Sequence, residues 1–268
     1  MRGGRLGSSY QGYPMNLFDL SGRIAIVTGG NGGIGLGMAE GLASVGAIVV
    51  LAGRNAEKGE TAVQRIAQAG GEAEFTAVDV TSETSCRALI DEAAARHGRL
   101  DILVKNAGIN IRKSPDTLSA AEWRTVIDTN LTSAFICTHA AYPHLKKAGR
   151  GKIINIGSMM SIFGAGFAPA YAASKGGIVQ FTRACATAWA KENIQVNAVL
   201  PGWIDTDLTR QARREVDGLH ERVLARTPAG RWGDPKDFAG IAIFLAGAAS
   251  DFVTGAAIPV DGGYSVQG

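Results

Sequence analysis

A regular alternation of two kinds of segment, beginning at Arg23, constrains the fold of this chain more than any other feature. Short apolar runs rich in β-branched residues, such as Ile24-Ala25-Ile26-Val27, alternate with longer Ala-rich stretches of helical character, such as 33–45. Several runs are apolar at every position, which is typical of strands buried on both faces of a parallel sheet. The alternation therefore predicts a single α/β domain with a doubly wound parallel sheet of about seven strands and helices on both faces.

Three stretches depart from this regularity. Residues 1–16 are rich in Gly, Ser and Tyr without any period, so we expect a loose N-terminal extension before one domain over 17–268. A long helical stretch over 120–147 is expected to be interrupted around Pro143. The charged segment 205–227 shows no regular period, and its position predicts an irregular lid that becomes ordered when ligand binds.

Composition limits the classes of function. Hydrophobic residues make up 46% of the chain and charged residues 19%, as in a compact globular protein. A net charge of +3 without a basic stripe argues against a nucleic-acid partner. No apolar run reaches the roughly 18 residues of a membrane span, and no secretory signal is recognisable, so we expect a cytoplasmic protein without a membrane partner.

The cysteines and histidines suggest neither disulfides nor a metal site. The three cysteines are far apart, include no CxxC pair and fall in predicted helices, so we expect small buried hydrophobic side chains in a reducing compartment. They are Cys86, Cys137 and Cys185. The four histidines show no metal-ligand spacing, and no metal is expected.

A glycine-rich turn follows the first predicted strand, over Thr28–Gly35. Glycines there permit positive φ and close approach to a phosphate, and the helix N-terminus that follows attracts a pyrophosphate. The turn fits two registers, GxGxxG and TGxxxGxG, of which the second is favoured by the motifs described below. The first uses Gly30, Gly32 and Gly35, and the second uses Gly29, Gly33 and Gly35. Either register predicts a Rossmann-type dinucleotide site.

The end of the second predicted strand indicates which dinucleotide binds. A carboxylate at this place accepts hydrogen bonds from the ribose hydroxyls of NAD, whereas an arginine suits the 2′-phosphate of NADP. The strand here ends in Gly53-Arg54-Asn55 and offers no carboxylate. Arg54 therefore predicts NADP as the cofactor, with NAD as the open alternative.

Four further residues point to hydride transfer coupled to proton transfer. Tyr171 and Lys175 are four residues apart and share one face of a predicted helix. A tyrosine base near pH 7 needs its pKa lowered by about 3. The attraction of an ammonium about 4 Å away, together with that of a cationic nicotinamide, supplies about the free energy that this shift requires. Ser158 is expected to donate to the substrate oxygen, and Asn130 to hold a water that links Lys175 to solvent.

Together these motifs resemble the short-chain dehydrogenase/reductase family over about Leu17 to Tyr264. The matching segments are Thr28–Gly35, Asp79-Val80, Asn106–Gly108, Asn130, Ser158, Tyr171–Lys175, Pro201-Gly202 and Asp261–Gly263. The resemblance implies an oxidoreductase acting on an alcohol or ketone, with a catalytic tetrad of Asn130, Ser158, Tyr171 and Lys175. It also implies a homotetramer. One departure is Lys105, which stands where the family usually has asparagine and is expected to snorkel outward or to pair.

The same resemblance implies the cofactor contacts. They are Gly29, Asn31, Gly33, Ile34, Gly35, Arg54, Asp79, Val80, Asn106, Gly108, Tyr171, Lys175, Pro201, Gly202, Ile204 and Thr206. Within the family, the segments 151–161 and 227–233 resemble the gluconate 5-dehydrogenase and 2-deoxygluconate 3-dehydrogenase branch. That branch implies a small-molecule sugar acid or polyol as substrate.

On the substrate side we predict contacts from Arg112, Ser158, Met159, Tyr171 and Trp203, with Arg112 binding a sugar-acid carboxylate. Two other functions stay open at this point. One is a 3-oxoacyl-[acyl-carrier-protein] reductase, since that branch shares much of the same sequence background. The other is a dinucleotide-binding scaffold without turnover, against which the complete tetrad argues.

Overall fold

The computed structural model describes residues 16–268, so the predicted N-terminal extension falls, but for its last residue, outside the described residues. Seven strands form one sheet: β1 (Ile24–Thr28), β2 (Ile48–Gly53), β3 (Glu72–Ala77), β4 (Ile102–Lys105), β5 (Gly151–Ile156), β6 (Ile194–Pro201) and β7 (Ala257–Val260). The α-helices of the described residues are α1 (Gly33–Ser44), α2 (Ala56–Gln68), α3 (Glu83–His97), α4 (Ala120–Ile127), α5 (Ser133–Lys147), α6 (Pro169–Trp189), α7 (Asp207–Glu215), α8 (Leu219–Arg226) and α9 (Ala239–Ala246).

The sheet has the strand order β3-β2-β1-β4-β5-β6-β7, and every strand pair is parallel. From β1 the chain winds outward through β2 and β3, then crosses back so that β4 pairs with β1 on its other side. The winding direction reverses at this point, and the carboxyl ends of β1 and β4 flank a crevice where such sheets bind ligands. The predicted doubly wound Rossmann-type fold is therefore confirmed.

Apolar side chains cover both faces of the sheet. Within β1, Ile24 and Ile26 belong to one core cluster together with α3, α5 and α6, whereas Ala25 and Val27 belong to the other, with α1, α2 and α9. Every residue of β1, β4, β5 and β6 is buried, as the apolar runs predicted. The three free cysteines, on α3, α5 and α6, all lie in the first cluster, which confirms their role as small buried hydrophobic side chains.

The predicted break at Pro143 is wrong. Pro143 lies inside the uninterrupted helix α5, and the break occurs earlier, at a π-helical turn over Asp128–Thr132. Proline removes one backbone N–H donor, a loss that α5 tolerates because it packs against α3 along its length. A π-helical turn inserts one residue and rotates those that follow, and such turns are frequent at functional sites. The predicted catalytic Asn130 lies within it.

The expectation of an irregular segment over 205–227 is also wrong, because this segment contains α7 and α8. A reciprocal cap between Thr206 and Thr209 starts α7, and Gly218, with φ 65°, separates the two helices. Charged residues obscured the period of these helices; among them, Asp205 binds Arg210 and Arg213.

Candidate active site

The turn between β1 and α1 is shaped for close backbone approach. Gly29 and Gly33 adopt φ values of 64° and 51°, which side-chain-bearing residues rarely do. A Cβ atom on Gly35 would lie 2.3 Å from the carbonyl oxygen of Gly29. Gly32, in contrast, is extended and has open space around it. The geometry thus favours the TGxxxGxG register and leaves a cradle of the shape that a pyrophosphate needs.

Hydrogen bonds join the carboxyl ends of β1 and β4 at the floor of this crevice. Thr28 Oγ1 accepts from the backbone N–H groups of Asn106 and Ala107 at 3.2 and 3.3 Å. The Asn106 Nδ2 amide donates to the Gly29 carbonyl at 3.0 Å. Gly108, two residues further on, is tightly packed, since a Cβ atom there would lie 3.1 Å from Asn130 Oδ1. The wall predicted for the adenosine ribose is therefore rigid.

At the other end of the crevice, Arg54 follows β2 and is exposed. Its guanidinium makes no hydrogen bond or ion pair with any residue of 16–268, so its donors face solvent. Asp79 is also exposed; hydrogen bonds from Thr81, and secondarily the positive charge of Arg54, hold the pKa of this carboxyl below its usual range. A cation with unused donors at the end of β2 fits the 2′-phosphate of NADP.

The side chain of Asn130 is buried and held at three points. Its Oδ1 accepts from the backbone N–H of Ile109 at 2.8 Å. Its Nδ2 donates to the Ile109 carbonyl at 2.9 Å and to Ser174 Oγ at 3.0 Å. Both amide hydrogens are therefore used, and the second lone pair of Oδ1 is the place left for the expected water.

Tyr171 and Lys175 lie in the first turns of α6, which begins at Pro169. Lys175 is buried; its Nζ donates to the Ile156 carbonyl at 2.7 Å and lies 5.5 Å from the centroid of the Tyr171 ring. Burial lowers the pKa of Lys175 to about 8. Burial also raises the pKa of Tyr171, against the opposing effects of the Ser158 hydroxyl and the Arg112 charge. That Lys175 and a bound cationic nicotinamide together lower the pKa of Tyr171 stays a prediction.

Ser158 is the second residue after the end of β5, and local hydrogen bonds fix its backbone. Its Oγ accepts from the Met160 N–H at 3.1 Å, and its own N–H donates to Ser161 Oγ at 3.1 Å. Ser161 Oγ in turn donates to the Lys175 carbonyl at 2.7 Å. Ser161 and Ser174 thus tie the tetrad together, and sequence reasoning missed both because serine at these positions carries no signal beyond the motifs themselves.

Most of the predicted cofactor contacts line one crevice, together with Ser158 of the predicted tetrad. They are Gly29, Asn31, Gly33, Ile34, Asn106, Gly108, Tyr171, Lys175, Pro201, Gly202 and Thr206. The other five do not line it: Gly35, Val80 and Ile204 are buried, and Arg54 and Asp79 are exposed. Residues that the sequence did not single out also line it, among them Lys58, Asp207, Leu208 and Thr209. Lys58 and Asp207 form a 3.1 Å ion pair between α2 and α7.

All five predicted substrate contacts line a neighbouring cavity that shares Ser158 and Tyr171 with the crevice; they are Arg112, Ser158, Met159, Tyr171 and Trp203. Arg112 forms a 3.0 Å ion pair with Glu215 on α7 and donates to the Leu208 carbonyl at 3.2 Å. Its guanidinium has five donors, of which these contacts use two. The remaining donors are available to a ligand in the cavity.

From the sequence, Lys105 was expected either to snorkel outward or to pair, and it does not snorkel outward. Its side chain is buried, and its Nζ donates to the Ala134 carbonyl at 2.6 Å, just beyond the π-helical turn. The same atom lies 5.0 Å from the centroid of the Phe181 ring. Among residues 16–268 no carboxylate pairs with it, and burial lowers its pKa to about 7.

Within the described part of the chain, no helix is both long and apolar enough to cross a membrane. Residues 16–268 also contain no group of three or more His, Cys, Asp or Glu side chains that could hold a metal ion.

Comparison with known proteins gives a consistent result. A family model described as enoyl-(acyl carrier protein) reductase matches residues 29–265. The 2-dehydro-3-deoxy-D-gluconate 5-dehydrogenase of Escherichia coli (strain K12) is 41% identical over 251 residues, which cover 93% of this chain and 98% of that protein.

Two solved structures have the same fold. A gluconate 5-dehydrogenase from Burkholderia cenocepacia J2315, in complex with NADP and tartrate, superposes with a TM-score of 0.88 at 41% identity, over 93% of this chain and 98% of that one. A 3-oxoacyl (acyl-carrier-protein) reductase from Agrobacterium tumefaciens C58, with NADP bound, superposes with a TM-score of 0.89 at 33% identity, over 96% of this chain and 100% of that one. From its sequence, its sheet topology and these relatives, the chain belongs to the short-chain dehydrogenase/reductase family.

Proposed function

We propose that this protein is an NADP-dependent oxidoreductase that interconverts a secondary alcohol and a ketone on a sugar acid of the gluconate type. The observation that carries the proposal is the meeting of Ser158, Tyr171 and Lys175 with the glycine cradle in one crevice, with Asn130 directly behind them. The relatives support the substrate class, since those named for gluconate derivatives cover nearly the whole chain at about 40% identity.

The residues divide the proton chemistry between them. NADP, when bound, supplies or accepts the hydride. Tyr171 holds the proton: its raised pKa keeps the phenol protonated at neutral pH, which suits it to donate to the oxygen of a ketone being reduced. Lys175, with a pKa near 8, gains and loses a proton close to neutral pH and so can resupply the phenol in the next turnover.

Ser158 positions the reacting oxygen. Its Oγ already accepts from the Met160 N–H, which leaves the hydroxyl hydrogen free to donate to a carbonyl or alcohol oxygen beside Tyr171. Arg112, in the same cavity, has donors left for a carboxylate. A sugar acid bound by these two contacts would present one hydroxyl-bearing carbon to the tyrosine, and the carboxylate would set its orientation.

The cofactor preference rests on Arg54, with its unpaired guanidinium at the end of β2 and no carboxylate at that position.

We extend the proposal to the assembly and the compartment: a homotetramer in the cytoplasm. Large apolar side chains exposed on α4 and α5, Trp123 and Phe135, support an assembly of copies of this chain. Three unpaired thiols, all buried, are compatible with a reducing compartment.

A substrate panel tests the function. Gluconate with NADP⁺ and 5-ketogluconate with NADPH are compared with an acetoacetyl thioester, by following NADPH absorbance, with Tyr171→Phe as the blank. We expect turnover of the sugar acids and a loss of about 10²- to 10⁴-fold in the variant. Faster reduction of the thioester would instead support the 3-oxoacyl reductase, and absence of any carbonyl turnover would support the scaffold.

A further inference from the structure

A second cavity continues from the one that contains Tyr171, away from the crevice. Its volume is about 370 Å³, and it lies between the segment after β5 and the helices α7 and α8. The two cavities share part of their walls, namely Arg112, Met159, Met160, Phe167 and Trp203. A ligand that reaches Tyr171 through the first cavity can therefore extend into the second.

Arginines dominate the polar lining of this second cavity. Arg112 enters from the loop after β4, and Arg222 and Arg226 come from α8, where a spacing of four residues places them on the same side of the helix. Glu215 pairs with Arg112. Within residues 16–268 no carboxylate lies within ion-pair distance of Arg222 or Arg226.

Arg226 is held in place without using its hydrogen-bond donors. Its guanidinium carbon lies 5.0 Å from the centroid of the Phe163 ring and 4.5 Å from that of Tyr264. Contacts of this kind orient a guanidinium and leave its N–H groups to bind an acceptor. The remaining wall of the cavity is largely apolar, and both arginines reach it from the exposed side of α8.

We propose that the second cavity is an anion subsite, and that it selects sugar-acid substrates carrying a second anionic group, a phosphate or a second carboxylate, over those with one charge. This inference rests on the proposed function. One anionic group of the substrate binds at Arg112 and the other at Arg222 and Arg226. The apolar wall offers few partners for the hydroxyl groups of a larger neutral sugar, which disfavours such a substrate.

The test compares gluconate, 6-phosphogluconate and glucarate as substrates with NADP⁺, for the unaltered protein and for Arg222→Gln, Arg226→Gln and Arg214→Gln. Arg214 is the matched control, because it is an exposed arginine on α7 that does not line the cavity. We expect kcat/KM to be higher for a doubly charged substrate, and to fall about tenfold or more in each α8 variant. Gluconate kinetics should change less than about twofold in these variants, as should all three substrates in the control.

The two doubly charged substrates separate phosphate from carboxylate as the preferred group. Gluconate turnover by the unaltered protein reports on the proposed function, whereas the dependence on Arg222 and Arg226 reports on the subsite. If none of the three sugar acids is turned over, the proposed function is wrong. The subsite is then decided by calorimetric titration of 6-phosphogluconate into Tyr171→Phe loaded with NADP⁺, with and without Arg222→Gln.

Three results would overturn the subsite. The first is equal kcat/KM for singly and doubly charged substrates in every variant. The second is an equal loss in the Arg214→Gln control, which would show a general effect of surface charge. The third is found by assaying the acetoacetyl thioester of the earlier panel on the same variants: dependence on Arg222 and Arg226 for that thioester only would assign these arginines to a different ligand.

Discussion

At the scale of single residues, the most unusual feature is a lysine enclosed by the core. Lys105 ends β4, and its one polar contact among the described residues is the Ala134 carbonyl. Removing an ammonium from water disfavours the charged form, which is why its pKa falls to about 7. The site thus contains two buried lysines, Lys105 and Lys175, and both titrate far closer to neutral pH than a lysine in water does.

The lowered pKa of Lys105 predicts a pH dependence of stability. In the unfolded chain this lysine has a pKa near 10.4, so between pH 7 and about 10 the unfolded state binds more protons than the folded state. The free energy of unfolding should therefore rise with pH across this window, by on the order of 4 kcal/mol from this residue, and be lowest below pH 7.

Denaturant unfolding of the unaltered protein and of Lys105→Met at several pH values measures this contribution. The difference between the two proteins should change with pH, whereas that between the unaltered protein and Lys147→Met, an exposed lysine on α5, should stay constant. A difference for Lys105→Met that does not vary between pH 7 and 10 would show that the lysine is as easily charged in the fold as in water.

Arg54 carries a second prediction at the residue scale. Arg54→Asp replaces a cation that suits a 2′-phosphate with a carboxylate that suits ribose hydroxyls. We expect the ratio of kcat/KM for NADP over NAD to fall by about 10- to 100-fold, while the melting temperature stays within a few degrees because Arg54 is exposed. Unchanged cofactor selectivity in a folded variant would contradict the assignment.

At the scale of elements, a π-helical turn and a pair of short helices shape the site. The turn at Asp128–Thr132 places Asn130 where its amide binds both backbone groups of Ile109 and the Ser174 hydroxyl. The helices α7 and α8 cover the substrate cavities with a small apolar cluster of their own, separate from the two main cores. Elements with few buried contacts open before the rest of a domain.

We therefore expect α7 and α8 to be the segment most sensitive to protease without ligand. Brief trypsin digestion should cut after arginines of 207–226 faster than after those of α3. NADP⁺ and gluconate together should slow the cuts within 207–226 about tenfold or more, because bound ligand adds contacts to this pair of helices. The cuts in α3 should proceed at an unchanged rate. Mass spectrometry of the fragments measures both rates, and equal protection in both regions would contradict the role of a lid.

At the scale of the whole molecule, the sheet places four of the functional segments at the carboxyl ends of its strands. The glycine turn follows β1, Arg54 follows β2, Asn106 follows β4 and Ser158 follows β5. Because all strands are parallel, these segments meet along one edge, although they are far apart in the chain. The outer faces of α4 and α5 meanwhile leave large apolar side chains in solvent.

Those apolar side chains predict the assembly. We expect light scattering to give four times the 27.9 kDa chain mass, and Phe135→Glu to lower that mass, because Phe135 is 53% exposed and a charge there would disfavour burial between copies. Circular dichroism of the variant checks that it stays folded. A monomeric unaltered protein, or a variant with unchanged mass, would exclude this face from an interface.

Local patterns in the sequence predicted most of the fold, because runs such as Ile24-Ala25-Ile26-Val27 are typical of a strand covered on both sides. The catalytic roles of the tetrad stay a prediction, although the structure brings Ser158, Tyr171 and Lys175 to one crevice, as their residue types and spacing suggested. Helix breaks were not: the predicted break at Pro143 does not occur, and the actual one surrounds Asn130. A π-helical turn depends on contacts made by distant residues, here Ile109 and Ser174.

The sequence alone was thus enough to determine the order of the seven strands and to propose the chemically active groups, since both rest on neighbours along the chain. Only the tertiary structure decided that Lys105 is buried, that Ser161 and Ser174 hold the tetrad together, and that Arg222 and Arg226 face the same cavity as Arg112. Burial, pKa and the convergence of charges depend on which segments meet in space, and those meetings join residues too far apart in the chain for any local pattern to record.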